Sequence, residues 1–246
     1  DGRGRRKAIT ASLGTATYSY DAVGNRSRLV DADGGKVTYT YGATNLLVSE
    51  IDAQGMRTTF TYDASGRRIL EELGKGTRSS LTYDVANHLV QQYEFKSNND
   101  VLASFDYSLD AVAHRTAVVE ANGNRTTWTY DATYQLTNER RSGISAYNTT
   151  FVYDAAANRI VKNTDGALTT TTYDDANQIV IEEATTGVST YTFDANGNQQ
   201  IIEQPDGKRT TQTWDYENQN TRVELPDGSC VTMVYNGVNR RVRKES

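Results

Sequence analysis

Cysteine and proline are nearly missing: one Cys, Cys230, and two Pro occur in 246 residues. One thiol excludes an internal disulfide framework and a cysteine-based zinc site, but leaves the redox compartment open, because a secreted protein can also dispense with cysteine. No apolar run approaches the ~18 residues of a membrane span, and the opening residues do not resemble a signal peptide. Apolar content is low, at 37%, with a mean hydropathy of -0.66. Disorder is nevertheless the wrong inference: 16 Tyr and an abundance of Thr supply the aromatic and β-branched residues that disordered chains lack.

Net charge is -5, unevenly spread. Arg3, Arg5, Arg6 and Lys7 make the first ten residues basic, and Arg240, Arg241, Arg243 and Lys244 do the same near the end, so the body between is strongly acidic. An acidic body argues against a general DNA or RNA binder.

What the sequence has in excess is one motif. "YDAVGN" at Tyr20 returns as "YDASGR" at Tyr62, "YDAAAN" at Tyr153 and "FDANGN" at Phe193. Aligned on the Asp, the anchors are Asp1, Asp21, Gly42, Asp63, Asp84, Asp110, Asp131, Asp154, Asp174, Asp194, Asp215 and Asn236, and nine of the eleven spacings are 20 or 21. Such a period marks a repeat array, and it makes a catalytic Asp in every copy implausible on chemical grounds. Residues 1–246 form a single array of about eleven repeats, with both ends falling inside a repeat, as expected of a segment of a longer chain.

Most repeats place large residues one and three positions before the anchor, as in Tyr18/Tyr20 and Phe60/Tyr62, with mainly Thr or Ser between them. Large, polar, large is the period of a strand with one covered face. Three residues after the anchor, nine of twelve positions are Gly or Asn, the residues that tolerate a left-handed backbone, and a second Gly turn lies about thirteen after it. The pattern predicts an all-β protein of 22 to 24 strands: tandem ~21-residue hairpins forming a long, curled antiparallel sheet. A six-bladed β-propeller is the alternative, although it requires a 42-residue period and the adjacent repeats look alike.

The residues predicted to secure this fold are Tyr20, Asp21 and Gly24; Tyr62, Asp63 and Gly66; Tyr83 and Asp84; Tyr130 and Asp131; Tyr153 and Asp154; Tyr173 and Asp174; Phe193, Asp194 and Gly197; and Trp214 and Asp215. The aromatic residues belong to the covered face, Asp to the turn and Gly to the reversal. Ala113, Tyr134 and Ala157 replace the turn Gly or Asn, a local weakening of the motif.

"YSYDAVGNR" at 18–26 and "FTYDASGRR" at 60–68, each followed by a second Gly turn, resemble the Rhs or tyrosine-aspartate (YD) repeat family, and the likeness covers essentially the whole chain. The resemblance implies a β-strip wound into a hollow shell. Bacterial Rhs toxins, the B and C components of insecticidal toxin complexes, wall-associated bacterial proteins and the animal teneurins are members. In the toxins the shell encloses a C-terminal toxic domain, and in teneurins it serves cell-cell contact. The family's self-cleaving aspartyl signature has no counterpart here, nor is there a non-repetitive toxin domain, so any cargo is expected outside this segment.

Other chemistry finds less support. The acidic pairs Glu71-Glu72, Glu182-Glu183 and Asp174-Asp175 are ordinary among 31 acidic residues rather than a glycosidase pair. His88 and His114 occupy the same repeat position, four after the anchor, which favours a polar turn-exit role over a metal ligand or general base. "DADGG" and "EANGN" lack the full ligand ladder of a calcium loop. The Tyr row could stack on sugars, but packing on neighbouring rings is the simpler role. The lengthened stretch from Glu94 to Asp110 has a polar "KSNND" tip, and an extended loop there is where binding would be added.

The sequence therefore predicts no enzyme, no cofactor and no metal, but a structural shell segment of a secreted or cell-surface protein. By resemblance it encapsulates and delivers a toxin or effector. The alternative is a cell-surface adhesion or carbohydrate-binding module. Expected partners are the rest of its own longer chain, an enclosed toxin domain, and a cell-surface protein or glycan; nucleic acid and a membrane span are not expected.

Overall fold

The computed structural model describes residues 1–11 and 14–245, and among these there are 23 strands and no helix. Contacts divide the chain into two compact units, residues 1–126 and residues 127 onward. The first holds β1 (Ala8–Ala11), β2 (Gly14–Tyr20), β3 (Arg26–Val30), β4 (Lys36–Tyr41), β5 (Leu47–Ile51), β6 (Arg57–Tyr62), β7 (Arg68–Glu72), β8 (Arg78–Tyr83), β9 (Leu89–Phe95), β10 (Val101–Leu109) and β11 (Arg115–Glu120). The division falls within β12 (Arg125–Tyr130). The second unit continues with β13 (Leu136–Ser142), β14 (Tyr147–Tyr153), β15 (Arg159–Thr164), β16 (Ala167–Tyr173), β17 (Ile179–Ala184), β18 (Gly187–Phe193), β19 (Gln199–Glu203), β20 (Arg209–Trp214), β21 (Asn220–Glu224), β22 (Cys230–Tyr235) and β23 (Arg241–Glu245).

Within each unit every strand pairs antiparallel with its neighbours in the chain. The first unit runs unbroken from β1 to β11. The second does so from β13 to β23. Uninterrupted runs of eleven strands exclude the propeller, whose blades of four would break the pairing. The strip is the architecture, as the 21-residue likeness of adjacent repeats requires.

Turn chemistry sets the spacing. In a 21-residue repeat both turns leave three residues between the last paired positions: Asp194 N–H bonds Asn198 O at 2.9 Å, and Gln204 N–H bonds Lys208 O at 2.8 Å. In the 20-residue repeats after Asp154 and Asp174 the second turn has two, since Thr164 pairs with Ala167 and Ala184 with Gly187. One residue fewer in a hairpin loop is the whole difference between 20 and 21.

The lengthened repeat is a correction. Its added residues are not an extended loop. Lys96 N–H bonds Asp100 O at 2.9 Å, closing an ordinary turn at the "KSNND" tip. The length goes into β9 and β10, of 7 and 9 residues, where the 21-residue repeat of β5 and β6 has strands of 5 and 6.

A bulge recurs at the anchor turns whose strand register is described. The register slips between Thr61 and Tyr62, so Thr61 faces Leu70 while Tyr62 faces Arg68, and the same slip occurs at Ser19/Tyr20, Thr40/Tyr41 and Thr192/Phe193. One extra residue in the second strand reverses its parity and adds right-handed twist. Residues five and eight after the anchor thereby share the aromatic face, which is why Arg68 and Glu71, three apart on one strand, form an ion pair of 2.8 Å.

The predicted alternation of faces is present: Tyr39 and Tyr41 are half-buried while Thr38 and Thr40 are exposed. The aromatic face is not an apolar core, however. Among the described residues Ala117 and Val118 are the only buried hydrophobic ones. Within each unit no strand touches any but its chain neighbours, so each unit is one layer thick. The position eight after the anchor, opposite the aromatic ring, is often charged: Glu50 faces Tyr39, Glu71 faces Phe60 and Lys162 faces Phe151. A domain normally buries one sheet face against a second layer, and neither unit supplies one.

Candidate functional site: the repeated turn and its cross-strand locks

Asp at the anchor accepts two backbone N–H bonds through one oxygen. Asp63 Oδ1 takes the N–H of Ser65 at 2.9 Å and of Arg67 at 3.0 Å. Asp154, Asp174, Asp194 and Asp215 take the equivalent pair, every bond at 2.9 Å. Asp21 adds a third, from Gly24 at 2.7 Å. Asn236 accepts the same two, from Val238 and Arg240, so the missing carboxylate at the last anchor costs no bond. A carboxylate oxygen in this position takes up N–H groups that the tight turn would otherwise leave without a partner.

The residue three after the anchor is left-handed in all twelve turns. Gly24, Gly66 and Gly197 have φ of 111°, 79° and 83°. Ala113, Tyr134 and Ala157 follow at 71°, 68° and 69°. The turn is therefore imposed on residues that disfavour it, and these three turns keep the shape that their composition weakens.

The second oxygen of the Asp is held by the side chain four after the anchor: Arg67 Nε at 2.6 Å from Asp63, and Asn158 and Asn198 Nδ2 each at 3.0 Å from Asp154 and Asp194. The two histidines do the same, His88 and His114 each placing Nδ1 at 3.0 Å from Asp84 and Asp110 Oδ2. That is the polar turn-exit position predicted for them.

The same side chain then reaches the next repeat. Asn25 donates to Asn45 Oδ1 at 3.1 Å, Arg67 to Asn87 at 2.8 Å, Asn158 to Asn177 at 2.9 Å and Asn198 to Asn218 at 2.8 Å. Asn at the left-handed position thus has two uses, backbone tolerance and an acceptor for its neighbour. Only the first was legible from composition.

A second lock uses the ring before the anchor. Its hydroxyl donates to the carbonyl that leaves the preceding anchor turn: Tyr20 to Arg6 at 2.7 Å, Tyr62 to Leu47 at 2.8 Å, Tyr153 to Leu136 at 2.9 Å and Tyr173 to Arg159 at 3.1 Å. Trp214 substitutes its indole N–H, 2.8 Å from Gln199 O. Phe193, with no polar atom, keeps only the ring. Turn-exit arginines cover the rings, Arg67 lying 4.9 Å from the Tyr83 centroid, Arg26 4.7 Å from Tyr39 and Arg115 4.2 Å from Tyr107. Each such stack adds about 0.5–1 kcal/mol at an exposed site. Tyr130 and Asp131 occupy the same positions, and Asp131 caps its turn through Thr133 and Gln135.

The acidic pairs considered from sequence are split. Glu71 and Glu72 are adjacent on β7 and so point to opposite faces, and Asp174 is a turn cap.

The turn bonds depress the carboxyls of Asp63, Asp154 and Asp194 below their ordinary value of 3.8. For Asp63 the Arg67 backbone N–H is the main cause, and for Asp154 and Asp194 the Asn158 and Asn198 side chains are. A depressed folded-state value means the stabilisation is complete above the ordinary carboxylate range and is lost as pH falls through the folded values. The urea midpoint should therefore hold steady between pH 7 and about 5 and fall below about 4. The triple variant Asp63→Asn/Asp154→Asn/Asp194→Asn keeps the Oδ1 acceptor and should show a shallower acid decline; an unchanged decline would remove these carboxylates as its cause.

Comparison with known proteins agrees with this geometry. The chain is similar in fold to the Photorhabdus luminescens Tc holotoxin pore, with a TM-score of 0.60 at 15% identity over 95% of this chain and 15% of that one. It is also similar to the TcdB2-TccC3 complex, with a TM-score of 0.58 at 15% identity over 98% of this chain and 20% of that one. The chain thus spans a fifth or less of the length of these structures. No curated protein matches it. The family model described as teneurin YD-shell matches residues 5–140, more than half of the sequence. The chain, a strip of antiparallel hairpins with a Tyr-Asp turn recurring along it, belongs to the teneurin YD-shell family.

Proposed function

We propose that this chain is a non-enzymatic wall segment of a larger secreted or cell-surface shell, and that the shell encloses a toxin or effector of the same polypeptide for delivery. The observation that carries this reading is the single-layered sheet: eleven strands in sequence, one layer thick, with almost no apolar residue buried on either face. Such a strip gains its stability in its own plane and makes a wall rather than a globule. The Tc fold likeness and the YD-shell family support a wall of this kind. Under this proposal residues 1–246 act as a single array, and the Tyr-Asp turns, from Tyr20/Asp21 to Trp214/Asp215, are structural.

Limited proteolysis of the longer polypeptide tests it. The enclosed part should resist protease in the intact protein and be digested promptly once expressed without the repeats. Equal digestion rates in the two states would overturn enclosure.

A further inference from the structure

In an Asn-Gly pair the backbone nitrogen can attack the preceding side chain with no Cβ beside the reacting atoms, and the chain has three such pairs: Asn122-Gly123, Asn196-Gly197 and Asn236-Gly237. The fold treats them differently. Gly123 N–H is spent on Glu120 O at 2.9 Å and Gly197 N–H on Asp194 O at 3.0 Å, each closing its turn. Gly237 directly follows its anchor, and its N–H has no acceptor among the described residues.

The side chain of Asn236 is held for that attack. Its Oδ1 accepts from Val238 N–H at 3.1 Å and from Arg240 N–H at 3.0 Å. The first bond closes a ring that contains both Asn236 Cγ and Gly237 N, so electrophile and nucleophile are kept together. Both N–H groups point at the oxygen on which charge builds when Cγ is attacked, as the donors of an oxyanion hole do. Nδ2, the group that leaves, has no partner among the described residues. Asn122 Oδ1 has one such donor, Asn124 N–H at 2.9 Å, and Asn196 Oδ1 has none among the described residues. The product also matters more at this anchor than at most. Three anchors are followed four residues on by arginine: Asp1, Asp63 and Asn236. Asp1 and Asp63 pair Oδ2 with Arg5 and Arg67, each at 2.6 Å. Asn236 has an NH2 group in place of that oxygen, and it cannot accept from Arg240.

We propose that Asn236 is an intramolecular deamidation site, at which the chain makes for itself the Tyr-Asp anchor that the sequence lacks there. Gly237 N gives its proton to hydroxide and bonds Asn236 Cγ. The Cγ–Nδ2 bond then breaks, and ammonia leaves with a proton from water, so hydroxide is regenerated and a succinimide remains. Water opens that ring at Cγ, which restores the peptide as aspartate, or at the backbone carbonyl, which gives isoaspartate with an extra methylene in the turn. Opening at Cγ supplies the second carboxylate oxygen, free to pair with Arg240 as Asp63 does with Arg67. The neutral cap thereby becomes a charged, ion-paired one, and loss of ammonia makes the change one-way.

The test incubates the 246-residue chain at mildly alkaline pH, both folded and in concentrated urea, and follows by peptide mass spectrometry the gain of one mass unit at each of the three asparagines. In the folded chain Asn236 should convert at least tenfold faster than Asn122 and Asn196, with aspartate among the products. In urea the three should convert at rates within threefold of one another. Gly237→Ala should slow the conversion of Asn236 at least tenfold. No atom lies within 4 Å of the added Cβ, so this variant should fold, as unchanged circular dichroism would show. Asn236 converting no faster than the other two in the folded chain, keeping the same lead in urea, yielding isoaspartate alone, or converting at the wild-type rate in Gly237→Ala would each overturn the proposal.

Discussion

Tyr62→Ala lowers the unfolding free energy by about 2–3 kcal/mol, and Tyr62→Phe by about 1 kcal/mol. The first figure is below that of a fully buried aromatic because Tyr62 is only half-buried. The second isolates the hydroxyl, which donates to Leu47 O at 2.8 Å. Leu47 O then loses a partner at the start of β5. Because strands in each unit touch only their chain neighbours, the damage should stay local. Amide hydrogen exchange should accelerate across β5, β6 and β7 and remain near wild type in β2 and β3. The turn cap can be separated from the ring in the same way: Asp63→Ala removes acceptors for Ser65 and Arg67 and should lower the urea midpoint less than Tyr62→Ala does. A Tyr62→Phe protein indistinguishable from wild type in both midpoint and exchange would show that the hydroxyl is not a lock.

The double variant Ala113→Asn/Ala157→Asn gains stability, about 1 kcal/mol at each site. Both alanines stand at positive φ, 71° and 69°, where a Cβ is disfavoured and Asn is tolerated. Asn also supplies the acceptor that neighbouring repeats use, as Asn87 does for Arg67 and Asn177 for Asn158. Glycine separates the two contributions. Ala113→Gly/Ala157→Gly relieves the backbone but adds no acceptor and loosens the unfolded chain, so it should gain less than the Asn pair. The measurement is the shift in urea midpoint at constant m-value, and a midpoint that falls for both pairs would contradict the backbone assignment.

Much of this was readable from residue order because each repeat carries its own turn instructions. Asp at the anchor, Gly or Asn three later and alternating large and polar residues before it are local signals, and Asp63, Gly66 and Tyr62 stand where those signals put them. The anchors that lack the consensus were less legible. Ala113 looks like a weakened turn in sequence, yet the pairing of β10 with β11 on either side of it goes with the same left-handed geometry, and Tyr134 adopts it too. The extra length after Glu94 looks like a loop because its tip is polar, whereas pairing extends the strands up to that tip. The 20- and 21-residue spacings were visible as numbers, but the loop of two or three residues behind them required the register.

Sequence alone determined the repeat, the strand and turn order, the two unlike faces and the structural role predicted for Tyr and Asp, because these depend on contacts within about twenty residues. Tertiary structure decided the bulge that puts Arg68 beside Glu71, the reach of Tyr62 to Leu47 O, and the side-chain rungs from one turn to the next. Each depends on which residue of one strand lies opposite which residue of another. A one-residue slip reverses every side chain on a strand, so these contacts exist only once the strands are paired.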